Sequence, residues 1–126
     1  MDHIVIYLAR AALVLMLLAG VYLAAIEGGP VAASNINDKI VHLGAFFVLA
    51  LFADYAFPHS RFGWFKVLPL LGYGLLIEIM QFYVPYRSFS LADLAADAAG
   101  LSLYAATVFV LRQVATPRGR KLLKGQ

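Results

Sequence analysis

The chain has 126 residues, of which 63% are hydrophobic and only 13% charged, with a mean hydropathy of +0.82 and a formal net charge of +3. A water-facing domain carries about a quarter charged residues, so this composition excludes a soluble domain. The absence of Cys excludes a disulfide framework and a thiolate metal site. No strand-like alternation at barrel spacing occurs, which leaves α-helices as the spanning elements that satisfy every backbone group in lipid. The length fits a single domain over residues 1–126.

Four apolar stretches follow in chain order. The first, over about residues 4–26, is interrupted only by Arg10, and at 1.5 Å per residue it is long enough for a hydrocarbon core of about 30 Å. Leu23-Ala24-Ala25 resembles a signal-peptide cleavage region. The apolar run is too long for a signal peptide, however, and Asp2 stands where a basic n-region belongs, so the segment reads as a retained span. Residues 27–37, beginning Glu27-Gly28-Gly29-Pro30, form a turn-rich loop. The second helix is expected over 38–57, stopped by Pro58, and a short basic connection over 59–66 leads to the third, over 67–84. Pro69 falls in the first turns of that helix, where a missing N–H is tolerated, and Pro85 closes it. The fourth is expected over 91–111, followed by a basic tail over 112–126. The result is an all-α, four-helix transmembrane bundle.

An even number of spans puts both termini on one side. Arg10, Arg61, Lys66, Arg112, Arg118, Arg120, Lys121 and Lys124 share that side, and only Lys39 and Arg87 lie on the other. This bias places both termini in the cytoplasm by the positive-inside rule. The tail cluster is read as a topology signal, and no nucleic-acid partner is assigned.

The acidic residues are split the other way. Glu27, Asp38, Glu78, Asp93 and Asp97 map to the outer half, against Asp2 and Asp54 on the cytoplasmic side. Glu27 reads as a solvated loop residue. The other four outer carboxylates lie in or beside apolar helices, on defined faces. Asp38 and His42 are four apart, with Lys39 adjacent; Gly74, Glu78 and Gln81 form one line; Asp93, Asp97, Gly100 and Tyr104 form another; Arg87 and Ser90 sit in the loop between the last two helices. An ionisable group deep in a membrane helix costs about 2.5–3.5 kcal/mol even on the lenient insertion scale. Convergence of these groups on one outward-opening polar pocket is therefore expected, with Arg87 the natural cation for Glu78 or Asp93. Asp54 and Arg10 lie near the inner surface and are expected to reach water by snorkelling. Ala92, Ala96 and Gly100 are expected to form a close-packing face, and Tyr83, Tyr86 and Phe89 to act as interfacial anchors.

The spacing Asp38-Lys39-x-x-His42, then Glu78-x-x-Gln81, then Arg87-x-x-Ser90-x-x-Asp93 and Gly100, resembles the signature of VanZ-like membrane proteins over residues 38–100. The resemblance implies a multi-pass protein of the bacterial cytoplasmic membrane, in a family named for a member linked to resistance to teicoplanin. The family usually carries Asn where this chain has Asp97, a carboxylate able to hold a proton or cation that the amide would not.

Three functions suit this constellation. The preferred one is recognition, without turnover, of a lipid-linked envelope component or glycopeptide-type antibiotic at an outward-facing polar pocket. Asp38, Lys39, Gln81, Arg87, Ser90 and Asp97 would bind the ligand, Lys39 and Arg87 through its phosphate. The second is a membrane enzyme acting on a phosphate-bearing lipid-linked substrate, with His42, Glu78 and Asp93 as candidate acid–base groups. No recognised nucleophile or phosphatase motif supports it. The third, a proton-coupled transporter or flippase component, lacks inverted-repeat symmetry and would need a homo-oligomer. The expected partners are the bilayer and a lipid-linked cell-wall precursor or phospholipid. A metal reading would draw on His42 with Asp93, Asp97 or Glu78. One His with carboxylates selects no particular ion, and no metal or cofactor is assigned.

Overall fold

A computed structural model describes residues 1–26, 36–85 and 87–116, apart from the side chains of Ile36 and Asn37. Four helices follow one another: α1 (His3–Ala25), α2 (Ile36–Ala56), α3 (Trp64–Phe82) and α4 (Leu91–Ala115), with no strand among the described residues. All four are long and apolar enough to cross a membrane. The expectations for the loop after Glu27, for Tyr86 and for the tail beyond Thr116 lie outside the described residues.

The expected boundaries hold to within a few residues except at two ends. Helix α3 begins at Trp64, three residues early, capped by Gly63, whose carbonyl accepts from the Lys66 and Val67 amides at 2.9 Å. Pro69 therefore sits a turn deeper than expected, and the Phe65 carbonyl lacks its usual i+4 donor. Helix α4 runs on to Ala115, because Val114 and Ala115 continue the apolar pattern past Arg112.

The helices are apolar nearly all round, so large side chains such as Ile4, Leu15, Phe65, Leu91 and Phe109 lie exposed on the outside. A helix that is apolar all round is at home in a core or in lipid, and the candidate spans identify the surroundings as a bilayer. The most extensive helix–helix contact joins α2 to α4, and α1 packs on the other side of α2. Phe46, Leu49, Ala50, Ala53, Leu70, Leu101 and Tyr104 form the centre of the core.

One small residue sets the approach of α4 to α2. A Cβ on Gly100 would run into the Leu43 carbonyl and come within 3.0 Å of the Phe47 amide nitrogen, so α4 touches the backbone of α2 here. Of the expected Ala92–Ala96–Gly100 face, Gly100 serves in this way and Ala92 does not. Ala92 is exposed, because the buried side of α4 is the one carrying Asp93, Asp97, Gly100, Leu101 and Tyr104.

Met1, Pro58, His59, Arg61, Arg112 and Ala115 border one cavity of about 580 Å³. The start of α1, the α2–α3 connection and the end of α4 thus share one end of the bundle. The start of α2, the end of α3 and the start of α4 share the other, which we call the distal end.

Candidate functional site

Helical periodicity brings the distal polar residues together. Asp38, Lys39 and His42 lie on the first turns of α2, Glu78 and Gln81 on the last turns of α3, and Asp93 and Asp97 on the first turns of α4. The Ser90 hydroxyl caps α4 by accepting from the Asp93 amide at 3.2 Å, while its own amide donates to Glu78 Oε2 at 3.0 Å. The α3–α4 connection is thereby tied to a buried carboxylate on α3. The hydrogen-bonding pattern fixes the Gln81 amide: its nitrogen donates to Glu78 Oε1 at 3.3 Å and its oxygen accepts from an Arg87 guanidinium nitrogen at 2.6 Å.

His42 is the hub. Its Nδ1 lies 2.8 Å from Asp97 Oδ1, while its Nε2 faces Asp38 Oδ1 at 3.7 Å and Asp93 Oδ2 at 3.9 Å. Lys39 Nζ donates to the other Asp93 oxygen at 2.9 Å. All nine residues singled out from the sequence as candidate acid–base or binding groups therefore gather at the distal end of α2, α3 and α4.

Two expectations about their arrangement need correction. Arg87 is not the direct cation of Glu78 or Asp93. Lys39 pairs with Asp93, and Arg87 reaches Glu78 through Gln81, because the α3–α4 connection folds Arg87 back onto the last turn of α3. His42 is taken up by the three aspartates. The carboxylates also do not line an open hole. Glu78 and Asp97 are fully buried, and Asp38 and Asp93 nearly so. The accessible members are Lys39, whose side chain is about one-third exposed, and the part-buried His42 and Arg87.

Burial makes the charge balance consequential, since a buried charge is tolerated only when paired and hydrogen-bonded. Four carboxylates (Asp38, Glu78, Asp93, Asp97) face two fixed cations (Lys39, Arg87). Two atoms in the cluster, Asp97 Oδ2 and Arg87 Nε, are buried without a hydrogen-bond partner among the described residues. Asp97 Oδ2 is pressed towards Gly74, where a Cβ would come within 2.6 Å of it.

A cavity touches this cluster. It lies among α1, α2 and α3, has a volume of about 140 Å³, and is walled by apolar side chains including Met16, Leu23, Phe46, Leu49 and Ile77. His42, Gln81 and Arg87 border it.

A second polar network occupies the opposite end. Lys66 Nζ binds Asp54 Oδ1 at 2.6 Å and the Ser60 carbonyl at 2.7 Å, and the Tyr104 hydroxyl donates to Asp54 Oδ2 at 2.9 Å. Lys66 is buried, so Asp54 is held in an ion pair rather than snorkelling to water, and Lys66 is no solvated topology charge. The sequence carried a weak sign of this, a Lys beginning an apolar helix twelve residues after an Asp in the preceding one. Arg10 is exposed as expected, with a partner the sequence did not reveal. Its Nε donates to the Ala56 carbonyl at 3.0 Å, capping the end of α2.

The family model described as VanZ/LLP1 matches residues 5–112, which takes in all four helices. No curated protein and no solved structure matches the chain.

Proposed function

This chain belongs to the VanZ/LLP1 family, and on that premise we propose that it recognises an amphiphile at the distal end of the bundle: a lipid-linked component of the bacterial envelope, or a glycopeptide-type antibiotic with an acyl tail. In this reading the protein sits in the cytoplasmic membrane with both termini inside and the distal cluster at the outer leaflet.

The observation that carries the reading is the cavity among α1, α2 and α3. Its walls are apolar, and His42, Gln81 and Arg87 stand beside them. That combination matches a molecule with a hydrocarbon tail and a polar head. At about 140 Å³ the space resembles an engineered cavity that takes a benzene-sized group. It accommodates a short length of acyl chain, with the remainder in the surrounding lipid. Arg87 and Lys39 are the groups suited to an anionic head, Arg through two parallel hydrogen bonds.

The His42–Asp97 pair favours one further reading. A histidine held by a buried carboxylate is the arrangement of an oriented general base, which suits hydrolysis or transfer at the phosphate of the same amphiphile.

The test uses the full chain in nanodiscs, with a polyprenyl phosphate, phosphatidylglycerol and teicoplanin as three separate probes. Saturable binding of at least one, lost in Arg87→Gln and weakened when Leu49→Trp fills the cavity, is the expected result. Release of phosphate from the polyprenyl phosphate would select the enzymatic reading. Failure of all three to bind saturably would refute recognition of an amphiphile of these classes.

A further inference from the structure

The geometry points to a divalent-cation site formed by His42 Nε2, Asp38 Oδ1 and Asp93 Oδ2, of the Mn²⁺ or Zn²⁺ class. Three observations converge on it. The three donor atoms lie within 4.8 Å of one another, and His42 Nε2 stands 3.7 Å and 3.9 Å from the two aspartate oxygens. These separations are too long for hydrogen bonds. They suit an ion sitting roughly 2.0–2.5 Å from each donor, the range of metal–nitrogen and metal–oxygen bonds.

The second observation is the orientation of His42. Asp97 Oδ1 holds Nδ1 at 2.8 Å, which fixes the ring and the tautomer. With the proton on Nδ1, the Nε2 lone pair is turned towards two carboxylate oxygens, and three electron-rich atoms then face one another across a buried space. A carboxylate bonded to the far nitrogen of a ligating histidine is the usual outer support of such a metal site. This gives Asp97 a positioning role, one that a neutral amide would fill less strongly.

The third is the charge count, which is independent of the ligand geometry. Fully ionised, Asp38, Glu78, Asp93 and Asp97 outnumber Lys39 and Arg87 by two when His42 is neutral, in a region where Glu78 and Asp97 are fully buried. Lys39 is already engaged with Asp93 Oδ1, and Arg87 with Gln81. A single divalent ion closes the balance. One imidazole and two carboxylates are a mixed donor set, favouring Mn²⁺ or Zn²⁺ over the all-oxygen shells of Ca²⁺ and Mg²⁺.

The ion is inferred from the donors and charges alone, so it does not rest on the amphiphile reading. It would also resolve a difficulty in that reading, since a phosphate approaching four carboxylates is otherwise repelled.

The test takes the full chain in detergent, stripped with a chelator, and titrates it with Mn²⁺ alone, with no lipid-linked ligand added. Electron paramagnetic resonance should show one Mn²⁺ bound per chain. Spin-echo modulation from a directly bound imidazole ¹⁴N should change to the ¹⁵N pattern in protein labelled only at histidine. The change should persist in the His3→Ala/His59→Ala double variant, which leaves His42 as the sole histidine. Asp97→Asn should weaken binding roughly 10–100-fold while keeping the modulation. Absence of stoichiometric binding would show that protons, rather than a metal, balance the carboxylates; binding without the histidine modulation would place the ion elsewhere. Both results overturn the site. A chain that binds a probe amphiphile yet no metal leaves the preceding proposal standing.

Discussion

A series of three glycine-to-alanine substitutions in α3 and α4 asks whether close helix approach holds the distal cluster together. Gly72 has no atom within 4 Å of the position a Cβ would take. Gly72→Ala should therefore show only the helix-propensity gain, a stabilisation of about 0.5–1 kcal/mol. At Gly74 the new methyl would lie 2.6 Å from Asp97 Oδ2 and 3.0 Å from Phe46 Cζ. The Asp97 side chain can swing away, at the expense of its 2.8 Å contact with His42. A hydrogen bond to a charged group is worth about 1.5–3 kcal/mol, so after the propensity gain Gly74→Ala should lose about 1–2 kcal/mol. At Gly100 the obstacle is the backbone of α2, the Leu43 carbonyl and the Phe47 amide, which cannot rotate aside. Overpacking of this kind costs about 1–3 kcal/mol, and the upper end is expected because the whole α2–α4 contact must open. Equilibrium unfolding in mixed micelles, followed by far-ultraviolet circular dichroism, should rank Gly72→Ala above the parent, then Gly74→Ala, then Gly100→Ala. A Gly100→Ala protein within 0.5 kcal/mol of the parent would refute the close approach and the helix rotation that orients Asp93 and Asp97.

Two further outcomes follow from the charges. Asp54→Asn should destabilise the fold by about 3–5 kcal/mol in the same assay, because it leaves Lys66 buried without its carboxylate; an Asp54→Leu/Lys66→Met pair should recover most of the loss. An Asp54→Asn protein as stable as the parent would show that Lys66 reaches water. For orientation, the natural sequence has no Cys, so single cysteines report cleanly. One at Ser88 should react with an impermeant maleimide in intact cells and one at Thr116 only after lysis; the reverse pattern would put the distal cluster at the inner leaflet.

The sequence was most informative where one helix suffices to make the argument. Apolar runs closed by Pro58 and Pro85 located the spans, and three-and-four spacing put Asp38 with His42, Glu78 with Gln81, and Asp93 with Asp97. What it could not show depends on how one helix is rotated against another. Lys39 and Arg87 are both cations at the distal end, and their choice of partner follows from the backbone contact at Gly100 and the fold of the α3–α4 connection, neither of which has a periodic signature. The same limit applies to Lys66. At the start of a helix it reads as a solvated charge, and only the packing of one helix on another shows that its ammonium is buried against Asp54. Depth is likewise illegible in the sequence: polar residues near a helix end suggest an outward-opening pocket, whereas their aspartate and glutamate side chains are packed inside.

The contrast between the two polar networks bears on which of them has work to do beyond holding helices together. The one at the termini is balanced: Asp54 and Lys66 cancel in charge, and Tyr104 and the Ser60 carbonyl take up further bonds. Such a unit is complete as a clasp between α2, α3 and α4. The distal network uses more charge and finishes less of it. Its acids outnumber its bases, and buried atoms of Asp97 and Arg87 lack hydrogen-bond partners among the described residues. If fixing helix register were its task, evolution of an apolar contact would do as well and would avoid the desolvation. A cluster left incomplete at the edge of the bilayer, beside an apolar cavity, is better explained by something that completes it, and the surplus of negative charge argues that this something includes a cation.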